Sequence, residues 1–532
     1  MKRSPRVLSG VVVALLALTL GLSACSGGST IPVAATGSAA TGGASTGTAS
    51  GSADAAHGGD LTVLVVAGGL ATWPSLDPVA SNANGDYRDA IFGELFHQNA
   101  NGTVVPAIAQ GISVSTNGLA VTISLRSGVK FSDGTPLNAA AVVANYKRDL
   151  DPANACQCVG TFMNVKNVAA SGNNVVLTLS APMPAFPEAI INSALNWIAS
   201  PTALAKEGKS FGTAPVGAGP FVVSSDDPSQ KLVLTANPDY YIKGQPDLSQ
   251  LTFQSVGTDQ SAYSALQSGS AQVVEAITTQ QLLTEAKQQF TVDALPVTEV
   301  YQTTYNTLAP PLNNPLAREA LAYATDASAL DTGLFGGQNK LAEAPVASGA
   351  SFYQSSVPGY KGYDLAKAQA LVKQLGGLTV SIQGSPSNIG TEMMQALQSM
   401  WAKAGIKVSK INPVALPQQI ANFASHNWQV DLGFSGATDP SLALGIGFFF
   451  SSHGPDSGVA DPALDTLIDK AASEMNPTVR AADYKAAFAL LSNKTYGDFL
   501  FENPQYDVVA KNVSGIGTAS AQWIDWGQVS VK

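Results

Sequence analysis

The sequence predicts an α/β protein built from more than one lobe, with partly parallel sheet. Three observations predict it. Strand-period and helix-period segments alternate along the chain. Helices end at a glycine that leads directly into an apolar strand, the punctuation of α/β units. The stretch from about residue 59 to residue 532 is also longer than one compact core usually holds.

The elements justify this in order. Leu119, Val121, Ile123 and Leu125 alternate with small or polar residues, the period of a half-buried strand. Ser132-Asp133-Gly134-Thr135-Pro136 reads as a turn, and Asn138 as the cap of a helix through Val142, Val143 and Tyr146. Val175, Leu177 and Leu179 form a second alternating strand after a Ser-Gly-Asn-Asn turn. Asn314-Pro315 supplies a cap and a first-turn proline ahead of Leu316, Ala320, Leu321 and Ala324. Asp364 caps a helix whose Leu365, Ala368, Leu371, Val372 and Leu375 share a face, and Gly376 stops it. Met393, Leu397, Met400 and Trp401 repeat that spacing before Gly405, after which Ile406 and Val408 open a strand. Met and Trp at helical spacing read as core.

Ahead of the folded part stand two segments of different character. Lys2, Arg3 and Arg6 precede an apolar run from Val11 to Leu20, and Leu22-Ser23-Ala24-Cys25 closes it. That order is an export signal, its apolar core too short for a comfortable membrane span. The Leu-Ser-Ala-Cys ending resembles the lipobox of bacterial lipoproteins, which implies a lipoprotein signal over residues 1–25 whose Cys25 is acylated and becomes the new N-terminus; an ordinary secretory signal is the alternative. Residues 26–58 are nearly all Ser, Gly, Ala and Thr, too poor in apolar surface to order, so a flexible tether with a reach of roughly 30 Å is expected. Gly43-Ala44-Ser45-Thr46-Gly47 matches a hydrolase elbow by spelling alone, since a linker lacks the strand-turn-helix setting.

Composition narrows the function classes. Net charge is −10 with no basic run beyond the signal, so nucleic acid is excluded as a partner. Charged residues are 12% of the chain, about half the usual share. No later apolar stretch could span a bilayer; Phe448-Phe449-Phe450 is a short patch. Cys156 and Cys158, one residue apart, read as a structural disulfide or as two quiet thiols. The histidines at 57, 97, 426 and 453 are scattered, so neither a metal nor another cofactor is expected.

The folded residues resemble a known family: the large extracytoplasmic binding proteins of the peptide/nickel ABC transporter group, solute-binding family 5. The likeness runs through Ser75-Leu76-Asp77-Pro78, Ile91-Phe92-Gly93-Glu94-Leu95, the Leu125-to-Pro136 segment with its Phe131-Ser132-Asp133-Gly134 turn, Pro215-to-Phe221, Asn237-Pro238-Asp239-Tyr240-Tyr241, and Tyr305-Asn306 followed by Arg318-to-Asp326. It implies a two-lobed periplasmic-binding-protein-like fold with two crossing segments, an inserted subdomain and a ligand cleft between the lobes. Lobe I would comprise 59–97, 205–300 and 500–532, the insert 98–204, and lobe II 301–499. The implied function is capture of a small solute, a peptide or peptide-like compound by family default, and its delivery to ABC permease subunits. A monomer held to the outer face of the cell membrane by its lipid is expected. The alternatives are a non-peptide ligand (organic acid, haem or metal chelate) or a secreted hydrolase.

Peptide-binding members carry an aspartate for the ligand's α-ammonium just after a Gly-Trp segment. The matching stretch here is Leu432-Gly433-Phe434-Ser435-Gly436-Ala437-Thr438-Asp439-Pro440. Phe434 stands for the tryptophan, and Ala437, or a gap, for the aspartate. A buried ammonium without a counter-charge costs several kcal/mol, so either Asp431 or Asp439 substitutes or the ligand lacks a free amine. Ligand-contact expectations extend to Ser435, Gly436, Asn82, Asn84, Tyr301, Tyr305 and Trp428, with core packing the competing role of each aromatic. Asn306 reads as structural, and Arg318 as a helix-surface ion pair or a ligand-carboxylate partner. No zinc-binding His-Glu-x-x-His or phosphate loop occurs in the folded part, so no enzyme is expected.

Overall fold

The computed structural model describes residues 58–66, 75–80, 86–99, 102–516 and 524–532, apart from Gln157, Asn192, Ser229, Thr278, Pro296, Ala443, Leu444 and Pro455. Cys25, the signal and all but the last residue of the expected linker, Asn82 and Asn84 lie outside the described residues.

Three larger sheets organise the chain. A seven-stranded sheet takes strands from three stretches of sequence. Asp60–Val66 lies at its centre, parallel to Gln250–Val256 on one side and to Val273–Ile277 on the other. Phe221–Asp227 and Lys231–Ala236 extend it antiparallel at one edge, Tyr506–Val509 and Thr291–Ala294 at the other. A five-stranded sheet holds Leu378–Gly384 parallel to Ile406–Pro413 and to Val430–Gly436, then Glu299–Tyr305 and Gly497–Glu502 antiparallel. A four-stranded antiparallel sheet is made by Ala109–Val114, Ala120–Leu125, Val165–Ser171 and Asn174–Leu179.

Apolar clusters cover both faces of the seven-stranded sheet, and two more cover the five-stranded one. The four-stranded sheet has a single core on one face. Its alternation follows from that: Val121, Ile123, Leu125, Val175, Leu177 and Leu179 are all buried, as period-2 patterning requires. Leu119 is the exception. It sits in the turn before its strand and is exposed.

The local signals hold. Asn138 accepts from the amide of Ala141 and caps Ala139–Asp149. Asn314 caps Pro315–Ala324 and Asp364 caps Leu365–Gln374. Helix Asn388–Lys403 buries Met393, Leu397 and Trp401, and Gly405, at a φ of +84°, turns it into strand Ile406–Pro413. The Pro215-to-Phe221 segment owes its glycines to backbone contact: a Cβ on Gly217 would lie 2.2 Å from the Ile91 carbonyl oxygen, and one on Gly219 2.4 Å from that of Ala90.

Arg318 departs from both sequence-based expectations. It is buried, and its guanidinium donates to the carbonyls of Leu312 (2.8 Å), Lys494 (2.8 Å) and Thr495 (3.0 Å) beneath the Tyr496 ring. It therefore ties helix Pro315–Ala324 to the end of helix Pro477–Lys494. Arg318→Ala is expected to lower stability by about 2–3 kcal/mol through the buried carbonyls left unpaired, read as a shifted urea midpoint.

Candidate functional site

The chain crosses between the seven- and five-stranded sheets twice. One crossing joins Thr291–Ala294 to Glu299–Tyr305, the other Gly497–Glu502 to Tyr506–Val509. They run antiparallel and are hydrogen-bonded, Leu295 N to Gln505 O at 3.0 Å and Asn503 N to Glu299 O at 2.9 Å. The Glu299 carboxylate accepts from Asn503 Nδ2 (2.8 Å) and Gln505 Nε2 (3.3 Å). Burial raises the Glu299 pKa, and these two amides pull it back. The Glu502 carboxylate accepts from both the amide and the hydroxyl of Ser348. Both carboxylates thus sit where the crossings enter the five-stranded sheet, Glu299 tying one crossing to the other and Glu502 tying the second to Ser348.

Beside the hinge, Val430–Gly436 pairs with Glu299–Tyr305 so that Tyr301 faces Phe434, Val300 faces Ser435 and Glu299 faces Gly436. The rings of Tyr301 and Phe434 meet edge-on at 6.5 Å, both half-buried. A Cβ on Gly436 would stand 2.5 Å from Glu299 Cγ, so glycine there makes room for the hinge carboxylate. Ser435 points to the opposite face, where its hydroxyl donates to Pro345 O at 2.9 Å. Ala437 is half-buried at the strand's end.

Tyr305 and Trp428 are placed elsewhere. Four residues of strand separate Tyr305 from Tyr301, about 13 Å, and Tyr305 is fully buried in the core of the five-stranded sheet. Trp428 precedes the same end of its strand and packs edge-on against Phe423 at 5.2 Å. Asn306 sits there too, donating to the carbonyls of His426 and Trp428.

Both aspartates that could replace the missing pocket acid are engaged. Asp431 alternates away from Phe434 and accepts from Gln383 Nε2 (3.1 Å) and Gln419 Nε2 (2.7 Å). Burial lifts its pKa to about 7 against the pull of those amides. Asp439 pairs with Arg480 at 2.8 Å, both buried, and also accepts from the amide and hydroxyl of Ser441. Arg480 in turn donates to Ala471 O and lies over the Phe352 and Tyr484 rings.

The loop after Phe434 reaches across. Leu442 is buried within the core of the four-stranded sheet, and Ala437 packs against that core. Glu188, on helix Phe186–Ile191 of the same region, feels the charges of Asp439 and Arg480. Cys156 and Cys158 are bonded to each other within that core.

Sequence reasoning missed the acids on the other side of the hinge. Glu275 and Asp507 lie on adjacent strands near the ends of Val273–Ile277 and Tyr506–Val509, and Asp86 opens helix Asp86–Phe92. Asp507 accepts from the amide of Ala276, which adopts a φ of +55°. Burial, and then the charge of Asp507, raise Asp86 to about 8. Burial and the charge of Asp293 raise Asp507 to about 7, and Glu275 is also pushed well up, chiefly by burial. A lone acid inside an apolar strand, as in Val-Val-Glu-Ala-Ile and Tyr-Asp-Val-Val, was the available signal. These groups stand near the carboxyl ends of parallel strands, the edge that binds ligands in open α/β sheets.

Known proteins share this architecture. Residues 103–467 match the family described as bacterial extracellular solute-binding proteins, family 5 Middle. The glutathione-binding protein GsiB of Escherichia coli (strain K12) is 30% identical over 448 residues, 82% of each chain. The structure of DppA from Helicobacter pylori in complex with the peptide STSA superposes with a TM-score of 0.76 at 21% identity, covering 89% of this chain and 98% of that one. AgaA of A. tumefaciens R10, solved with agropinic acid, gives 0.75 at 22% identity over 89% and 99%. The hinge and the facing sheets are those of a two-lobed binding protein, and the chain belongs to the bacterial extracellular solute-binding proteins of family 5, which serve ABC importers.

Proposed function

We propose that the protein closes its lobes over a small peptide-like solute and hands it, chemically unchanged, to ABC permease subunits. Residues 59–97, 205–300 and 500–532 would form lobe I, 98–204 the insert and 301–499 lobe II. Cys25 would carry the lipid and residues 26–58 the tether to the outer face of the membrane, with the folded part monomeric. The observation that carries the closing motion is Leu442, which extends from the five-stranded sheet into the core of the four-stranded one. A large apolar side chain at that junction is covered only while the two regions meet.

The ligand class follows from the charges. With Asp439 held by Arg480, Asp431 by glutamine amides and Glu299 by Asn503 and Gln505, none of these three carboxylates among the described residues is left free for an α-ammonium. The preferred ligand therefore presents an uncharged end to Phe434 and Tyr301. N-acetylated di- to pentapeptides are expected to bind more tightly than their unblocked forms in calorimetric titration. Phe434→Ala should weaken that binding by about tenfold while leaving the melting temperature nearly unchanged. Tighter binding of the unblocked peptides would overturn the ligand class. Mass spectrometry of ligand released from natively purified protein identifies the solute directly. A second reading, a non-peptide organic acid, is favoured by the agropinic-acid complex of AgaA. It predicts that no peptide of either kind binds.

A further inference from the structure

Charge is unevenly placed along this chain. Between Asp364 and Asp431, Lys367, Lys373, Lys403, Lys407 and Lys410 stand against Glu392 alone, in a protein whose net charge is −10. Lys367 pairs with Asp364 at 3.2 Å. Among the described residues no ion pair holds the other four lysines. Glu392 is three turns from Lys403 on helix Asn388–Lys403, roughly 16 Å away.

Two of these lysines share one face of an outer strand. Strand Ile406–Pro413 ends the five-stranded sheet, beside Leu378–Gly384. Its Ile406, Val408 and Ile411 pack into the core that holds Leu397 and Trp401. The register slips at Ser409, whose hydroxyl donates to Val380 O at 3.0 Å. A bulged residue shifts the alternation by one, so Lys407 and Lys410 both lie exposed on the face opposite that core.

Helix Leu416–Ala424 lies on the same face. Its Asn422 Nδ2 donates to Gln383 Oε1 at 2.7 Å and its Gln419 Nε2 to Asp431 at 2.7 Å. Gln383 and Asp431 alternate with the core residues Ile382 and Leu432, which places them on the far side of the sheet from that core. Away from the sheet the helix exposes Leu416 (41%) and Ile420 (47%), one turn apart and therefore neighbours. Six residues separate Lys410 from Leu416, at most about 20 Å. The loop at Leu308, 46% exposed, borders the other end of the helix, where Asn306 Nδ2 donates to His426 O at 3.1 Å.

Single exposed leucines are ordinary, and lysines on an outer strand discourage pairing with another chain. Neither role sets an apolar helix turn beside lysines on a surface poor in acids. That combination suits the headgroup region of a bilayer, where lysines meet anionic phosphates and Leu and Ile enter the acyl boundary. The rest of this acidic chain is repelled by an anionic leaflet, so contact would be confined to such a face.

We propose that the face formed by Lys407, Lys410 and helix Leu416–Ala424 docks on an anionic phospholipid surface. Its efficacy rests on the reading of the N-terminal segment as a membrane anchor, which makes the docking intramolecular. Each lysine near an anionic leaflet is worth about fivefold.

The test places the full chain on phosphatidylcholine vesicles with and without phosphatidylglycerol and follows lysine acetylation by mass spectrometry. Lys407 and Lys410 are expected to react at least about fivefold more slowly on the anionic vesicles. Lys206 and Lys287 should be unchanged, and high salt should abolish the protection. Leu416→Ser/Ile420→Ser should bring the rates to within about twofold of those on neutral vesicles, with an unchanged melting temperature. Equal rates on the two kinds of vesicle overturn the proposal. Protection that needs permease in the vesicles, or that grows with protein concentration in their absence, assigns the face to a protein and overturns it too. Retention on neutral vesicles reports the N-terminal anchor alone, so its loss counts against the anchor. Retention by anionic vesicles only, lost in Lys407→Gln/Lys410→Gln, would still support the face.

Discussion

Arg480→Ala is expected to lower the unfolding free energy by about 3–5 kcal/mol, because it leaves the Asp439 carboxylate buried without its counter-charge. The side chains are 8% and 3% exposed and 2.8 Å apart, so water cannot take the place of the guanidinium. The loss goes beyond the pair. Arg480 also holds Ala471 O and stacks on Phe352 and Tyr484, tying helix Pro477–Lys494 to helix Pro462–Ser473 and to the loop after Phe434. Asp439→Asn should cost less, since an amide still receives Arg480 and the Ser441 groups. The double variant Arg480→Met/Asp439→Leu should recover much of the loss, as apolar replacements of buried ion pairs do. Urea midpoints of the four proteins check this. A stable Asp439→Asn protein that has lost ligand binding would instead put Asp439 on the ligand and remove the basis for an amine-free solute.

Stability should fall as pH rises from about 5 to about 8, the reverse of the usual gain on deprotonating paired carboxylates. The sign follows from the raised carboxyls. Asp507 titrates at about 7, Asp86 at about 8 and Asp431 at about 7 in the folded protein, against an ordinary 3.8. Between these limits the folded state binds more protons than the unfolded one. The stabilisation is complete below the unfolded pKa and is lost as pH passes through the folded values. Asp507 alone accounts for about 2–3 kcal/mol of that loss over this window, at about 1.4 kcal/mol per pKa unit. Denaturation midpoints across pH measure it, and Asp507→Asn should flatten the curve by that share. A midpoint that rises toward pH 8 would show these carboxylates ionised and paired in the folded state.

The sequence was most legible where the physics is short-ranged. Asn138, Asn314 and Asp364 cap their own helices within three residues. Period-2 alternation identified the faces of Ala120–Leu125 and Asn174–Leu179, failing only at Leu119, which a turn removes from the sheet. The family resemblance, carried by short motifs along the folded part, led to the two-lobed architecture.

The site was only half legible. Tyr301 and Tyr305 look equivalent in sequence and share a strand face and a core, yet Tyr301 lies at its margin against Phe434, Phe335 and Phe501 while Tyr305 is fully buried within it. Nothing in their spacing tells which strand end borders the hinge; the pairing of Val430–Gly436 and Gly497–Glu502 decides it.

Composition and local pattern by themselves determined the lobed α/β class and the helix caps and turns; that Ala437, or a gap, stands where peptide-binding members carry an aspartate is what the family resemblance implies. The tertiary structure alone decided which charges are free. Asp439 meets Arg480 across 41 residues, Arg318 meets Thr495 across 177, and Asp507 meets Ala276 across 231. A buried charge is defined by its partners and its distance from water, and sheet order, not neighbouring sequence, brings those partners together.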